Sequence, residues 1–264
     1  MVLEAIVGYD LTDPQTAESV GNIPPRYTAF LQADGLRGAR IGLVTELLGT
    51  DPEDAEVAGV VRRAVTEMQG QGAEVVEVTI PGLEALLKDR LGGFLVLVQE
   101  FKFDINSYLA QHPSAPVRSL EQVLTSGVYH PGVERQLRNS QEVESLDTKE
   151  YLEHLVKRTT LKQAILQAMA DHRLEALVYP TIRRTAAPIG ERQLGTNCHL
   201  SANSGLPAIS VPAGVTADGL PVGVELLGRA WSEPLLIKLA YAYEQATHRR
   251  QPPASTPALP LGGR

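Results

Sequence analysis

Between Asp51 and Gly72 the apolar positions Val57, Val60, Val61, Ala64, Val65 and Met68 recur at three- and four-residue spacing, which predicts an amphipathic helix with one buried face. Asp51 can cap this helix, Pro52 suits its first position, Glu53 and Asp54 favour its positive end, and Gly70 and Gly72 stop it. On either side lie shorter runs. Residues 40–44 read as a buried strand, and residues 73–80, rich in valine, read as another. A strand–helix–strand unit predicts a parallel pair with a right-handed crossover.

Elsewhere the pattern alternates between long helical stretches and short strands. Residues 3–7, ahead of Gly8-Tyr9-Asp10, read as the tail of a helix whose beginning is expected earlier in the chain. Residues 83–173 are helical in character, with breaks expected at Gly92-Gly93, Pro113, Pro116 and Pro131-Gly132. The last helix of this region begins near Thr148 and is expected to turn Leu152, Leu155, Val156, Ile165, Leu166 and Met169 inward, with a drift in register through Thr159 and Thr160. Residues 174–179 form a strand stopped by Pro180, and a loop runs on to Gly205. Residues 207–211 and 222–227 are strands that should pair as a hairpin around Ala217-Asp218-Gly219. A closing helix over 233–247 buries Leu235, Leu236, Leu239, Ala240 and Tyr243. The fold class is therefore α/β, a mixed sheet flanked by helices. Residues 1–250 are expected to form one domain, incomplete at its N-terminal side, and 251–264 a Pro-rich tail.

Composition narrows the function more than the fold. The formal net charge of −7, with signs interspersed, argues against nucleic-acid or anionic-membrane partners and favours small-molecule chemistry. No apolar run approaches the roughly 20 residues of a spanning helix, and the first residues lack the basic start of a secretory signal. The single cysteine, Cys198, precludes an intrachain disulfide and a cysteine-based zinc site, and a reducing cytoplasm is the expected location.

Local chemistry motifs are scarce. The chain has no G-x-S-x-G, S-x-x-K, H-E-x-x-H, P-loop or G-x-G-x-x-G pattern, and its six histidines are scattered. Cys198-His199 is the one pair suggestive of thiol chemistry, but adjacent side chains normally diverge, which leaves a buried filler or a pocket-wall residue as the other readings of Cys198. Glu142, Glu144 and Asp147 read as a solvated helix end or loop.

One longer segment is specific. Ser201-Ala202-Asn203-Ser204-Gly205-Leu206-Pro207-Ala208-Ile209-Ser210-Val211-Pro212-Ala213-Gly214, followed by Asp218-Gly219-Leu220-Pro221-Val222-Gly223-Val224-Glu225-Leu226-Leu227-Gly228-Arg229, resembles the C-terminal hallmark of the amidase signature family, whose members use a Ser–cisSer–Lys triad. Gly8-Tyr9-Asp10-Leu11-Thr12-Asp13-Pro14, Arg40-Ile41-Gly42, Tyr179-Pro180-Thr181 and Pro188-Ile189-Gly190-Glu191 agree with that family in order and spacing. Residues 100–109, Glu100 to Leu109, are similar to its peptide-amidase-like branch, whereas the short connection from Glu191 to Gly205 is unlike the loop of the tRNA-linked amidotransferases.

The resemblance implies the C-terminal part of the amidase signature fold and a hydrolase acting on carbon–nitrogen bonds. In the family the two serines and the lysine precede the Gly-Tyr-Asp segment. No Ser-Ser dipeptide occurs here and no lysine precedes Lys88, so no catalytic residue can be carried over. The expectation is a chain that is inactive alone and meets a small amide substrate only when completed by an N-terminal half. The alternatives are a non-catalytic binding module and a relic without function. No cofactor or metal is implied. Thr196, Asn197, Cys198, Glu100 and Asn106 are the candidate substrate-wall residues, with a helix-end hydrogen bond as the other reading of Asn106 and a solvated or paired acid as that of Glu100. A sheet shared by both halves would leave residues 40–44 or 174–179 without a neighbour on one side, and self-association is an expected consequence.

Overall fold

The computed structural model describes residues 2–88, 90–253 and 256. In chain order the helices are α1 (Val2–Ile6), α2 (Ala55–Gly70), α3 (Leu83–Lys88), α4 (Arg90–Ala110), α5 (Leu120–Ser126), α6 (Glu134–Gln141), α7 (Lys149–Asp171), α8 (His199–Ser204) and α9 (Glu233–Thr247). The strands are β1 (Arg40–Val44), β2 (Glu74–Val78), β3 (Ala176–Pro180), β4 (Ala208–Val215) and β5 (Pro221–Leu227). The chain divides into two compact units, one of residues 1–81, 165–201 and 205–264, the other of residues 82–164 and 202–204.

The first unit is built on a five-stranded sheet in the order β2-β1-β3-β5-β4. β1 pairs in parallel with both β2 and β3, while β5 runs antiparallel between β3 and β4. Alternation along the strands sends Ile41, Leu43, Ala176, Val178, Val224, Leu226, Val211 and Ala213 to one face, where α2 and α9 cover them. The predicted α2 stripe, Val57 through Met68, is the buried one. Gly42 on the opposite face has no room for a side chain, since a Cβ there would lie 2.5 Å from Leu174 Cδ1 and 3.0 Å from Leu177 Cδ2. Strands 40–44 and 174–179 were expected at an exposed edge; β1 and β3 are instead interior, and the edges are β2 and β4. Their neighbours are supplied within this chain, β2 by the parallel crossover through α2 and β5 by the hairpin.

The second unit is helical. α4 runs without interruption through Gly92 and Gly93, where a break was expected; a helix interior tolerates glycine at about 1 kcal/mol each relative to alanine. Its end at Ala110 and the short α5 and α6 do follow the predicted prolines. Thr148 caps α7 by accepting from the amide of Tyr151 at 3.2 Å. The inward face of α7 agrees with the expected one at Ile165 and Met169, which are buried, and differs elsewhere: Leu152 and Val156 are 56% and 63% exposed, and His154, Leu161 and Ala168 are buried. The five buried residues follow one 3.6-residue stripe from which 152 and 156 diverge. No helix among the described residues is long and apolar enough to cross a membrane.

Candidate functional site

In open sheets containing parallel strands, ligands collect beyond the carboxyl ends of those strands. Here that end is formed by the turns leaving β1 and β3. Beyond Val44 the chain enters a tight turn, Thr45–Leu48, whose Glu46 carboxylate accepts from the amide of Ile80 at 2.8 Å and so ties the ends of β1 and β2. Beyond Pro180 a loop leaves and returns, and its two arms meet at the Ile182–Thr196 bridge and through the Arg183 amide, 2.7 Å from the Gly195 carbonyl. Gln193 braces the loop from inside, accepting from Ala187 at 2.9 Å and donating to the carbonyls of Thr185 and Leu194. Arg184 anchors it outside, with Nε 3.0 Å from Asp54 Oδ1 and Nη2 2.6 Å from Asp51 Oδ2.

Asn197, proposed from sequence for the substrate wall, is buried, and its Nδ2 donates to the carbonyls of Leu47 (3.0 Å) and Pro180 (2.8 Å). It therefore braces the site from below. Thr196 and Cys198 flank it with exposed side chains, the Thr196 hydroxyl 3.2 Å from Cys198 Sγ. These two form a polar ledge at the surface. Glu100 and Asn106 belong to the helical unit, where Glu100 accepts from the Tyr151 hydroxyl at 2.5 Å and Asn106 Oδ1 from the amide of Leu120 at 2.8 Å. The contact of Asn106 is the helix-end hydrogen bond that its alternative reading named. Glu100, with burial and its own charge, pushes the Tyr151 phenol up to about 12, chiefly through the hydrogen bond.

Several residues around the ledge were not singled out from sequence. Register places Tyr179, Glu225 and Ser210 opposite one another on three adjacent strands, hence on one face. Glu225 Oε1 accepts from the Tyr179 hydroxyl at 2.7 Å and from Ser201 Oγ at 3.1 Å. Burial, followed by the charge and hydrogen bond of Glu225, holds the Tyr179 phenol far above its usual range. One step further on, Thr181 Oγ1 and Ser210 Oγ lie 2.6 Å apart above Gly223, where a Cβ would come within 2.9 Å of both hydroxyls. A glycine floor is thus required for that pair. All of these residues lie inside the family-like segments, and the signal that could have set one apart is an acid inside an otherwise apolar strand, Val222-Gly223-Val224-Glu225-Leu226-Leu227.

The arrangement presents hydroxyls, a thiol and amide dipoles, with the carboxylate held beneath them. Such groups can both donate to and accept from a neutral polar ligand. No cluster of three or more histidine, cysteine or carboxylate side chains suited to a metal ion occurs among the described residues.

A family model described as amidase matches residues 1–237. The chain is 30% identical over 263 residues to a probable amidase of Arabidopsis thaliana, covering 96% of this chain and 47% of the relative. It is 32% identical over 270 residues to a glutamyl-tRNA(Gln) amidotransferase polypeptide of Moorella thermoacetica, covering 96% and 53%. Among solved structures, the peptide amidase of Stenotrophomonas maltophilia superposes with a TM-score of 0.80 at 36% identity, over 96% of this chain and 52% of that one. The chain thus spans about half the length of the relatives it matches. With a family match over most of its length and the amidase signature fold in its sheet and flanking helices, the chain belongs to the amidase family.

Proposed function

We propose that this chain is the C-terminal portion of an amide hydrolase that cleaves the carbon–nitrogen bond of a small carboxamide or peptide-like amide, and that it supplies a substrate wall while the nucleophilic serine, cis-serine and lysine come from an N-terminal half. The observation that carries the reading is the likeness to peptide amidase along almost the whole chain, paired with a sequence that contains no Ser-Ser dipeptide and no lysine before Lys88. A serine hydrolase needs an activated nucleophile, a base and oxyanion donors placed together.

The wall suits the task it is given. A carboxamide presents one strong acceptor and N–H donors, and the Thr181–Ser210 hydroxyl pair and the Thr196–Cys198 ledge can answer both. Rigid support by Asn197 and the Gln193-braced loop would hold these groups in place before a substrate arrives, which lowers the ordering cost of binding. Glu100 and Asn106 are proposed as wall residues of the helical unit.

The experiment is co-expression with a family N-terminal half carrying the Ser–cisSer–Lys set, assayed with peptide amides. Hydrolysis that requires both chains supports the proposal. A tight complex with intact serines and lysine that stays inert on amides argues instead for a binding module.

A further inference from the structure

β5 places one acid, Glu225, in the middle of a buried strand between Val224 and Leu226. A buried carboxylate is costly unless its oxygens are hydrogen-bonded, and an apolar residue of similar volume would fill the core without that cost. The two donors it has recruited come from different elements, Tyr179 on β3 and Ser201 in the first turn of α8, and both reach the same oxygen. Four residues upstream of Ser201, Asn197 clamps the chain to the carbonyls that follow β1 and end β3. The short stretch between the two clamps includes Cys198, and Thr196 stands at its threshold; both are exposed although the backbone beneath them is held on each side.

We infer that Glu225 is a positioning residue for the Thr196–Cys198 ledge: through Ser201 and Tyr179 it fixes the first turn of α8 against β3 and β5, and so sets where the ledge side chains point. This rests on the reading of that ledge as a substrate wall. Glu225 itself touches no substrate in this scheme, and its work is the acceptor geometry of Oε1 rather than its charge. A side chain that offers an acceptor at the same place should therefore replace it.

The single cysteine makes the ledge directly observable, because Cys198 is exposed and its alkylation by iodoacetamide reports its surroundings without any substrate. Glu225→Gln, Glu225→Leu and Ser201→Ala are compared with the parent chain at one pH, with circular dichroism to verify folding. Glu225→Leu and Ser201→Ala are expected to change the alkylation rate several-fold. Glu225→Gln is expected to stay near the parent rate, since its carbonyl oxygen can accept both hydrogen bonds and its lost charge is shared with the leucine variant. Parent-like rates in the folded leucine and alanine variants overturn the inference, as does a glutamine variant that departs as far as leucine. Ser201 Oγ also lies 3.3 Å from the Cys198 carbonyl, so its alanine variant does not isolate Glu225; should the leucine variant not fold, Glu225→Met, which fills the volume without an oxygen acceptor, decides. An inert reconstituted enzyme would leave this result standing, and an unchanged Cys198 rate would leave the hydrolase reading standing.

Discussion

Asn197 donates from Nδ2 to the carbonyl oxygen of Pro180 at 2.8 Å, so the last residue of β3 is fastened to the segment that opens α8. The same nitrogen reaches the Leu47 carbonyl in the turn after β1, and one buried amide thereby joins the ends of two parallel strands. Replacing it with alanine strips two buried carbonyls of a donor, for an expected loss of about 2–4 kcal/mol in urea unfolding. Asn197→Asp should be worse at pH 7, because a buried carboxylate would face two carbonyl oxygens. Burial raises the folded pKa of such an aspartate above its unfolded value near ~3.9, so the deficit should shrink as pH falls toward 4 and grow above it. A deficit that does not vary between pH 4 and 7 contradicts this.

The Tyr179–Glu225 pair is expected to behave non-additively. Glu225→Leu alone leaves the buried Tyr179 hydroxyl without its acceptor and should cost about 1–3 kcal/mol. Adding Tyr179→Phe removes the orphaned group, so the double variant should be less destabilised than the sum of the two single changes. Strict additivity across the thermodynamic cycle would mean the two side chains do not depend on each other.

Tyr151 provides a pH signature in the helical unit. Its phenol is raised to about 12, first by the hydrogen bond to Glu100, from an unfolded value near ~10. Between those values the unfolded chain has released the proton and the folded chain retains it. This contribution is therefore fully present below pH ~10 and is lost as pH rises toward about 12. Tyr151→Phe should flatten that part of the stability profile and delete from the phenolate absorbance the component that titrates toward about 12. A parent-minus-variant absorbance difference that titrates near ~10 would refute the pairing.

The sheet's far edge leads to a prediction about association. β4, Ala208–Val215, carries no charged side chain, whereas the opposite edge β2 has Glu74 and Glu77. Pro212 and the register irregularity beside it guard the far half of β4, but residues 208–211 carry no charge to discourage edge-to-edge pairing. α1 buries none of its residues, with Val2 77% and Ile6 75% exposed, and Leu11 beyond it 85%. The isolated chain is expected to self-associate or to bind ANS, as judged by light scattering after size exclusion and by dye fluorescence. A monodisperse monomer with a sharp melt and no dye signal would contradict it. Ser210→Lys, which places a charged guard on this edge, should reduce the association.

Much of the framework was legible because it is local. The α2 stripe and the hairpin about Gly219 follow from spacing and turn chemistry within a few residues, and so do the bounds of α9. Sheet order was not legible, since nothing in residues 40–44 says that β2 and β3 will both pair with them. On α7, hydrophobicity ranks Leu152 above His154, yet His154 is buried because Gln99 on α4 offers it a partner at 3.0 Å. The site divides along the same line. Thr196, Asn197 and Cys198 are contiguous in the connection before the hallmark segment, while Tyr179, Thr181, Ser201, Ser210 and Glu225, each inside a family-like segment, meet only through cross-strand register and the docking of α8.

The division of labour itself is tested most directly by a serine-directed fluorophosphonate, followed by intact-mass measurement of each chain. The account predicts no stoichiometric adduct on this chain alone, no amide turnover that follows it through purification, and, in the reconstituted pair, an adduct confined to the N-terminal half. A stoichiometric adduct on any serine of this chain, accompanied by amide hydrolysis without a partner, would contradict it.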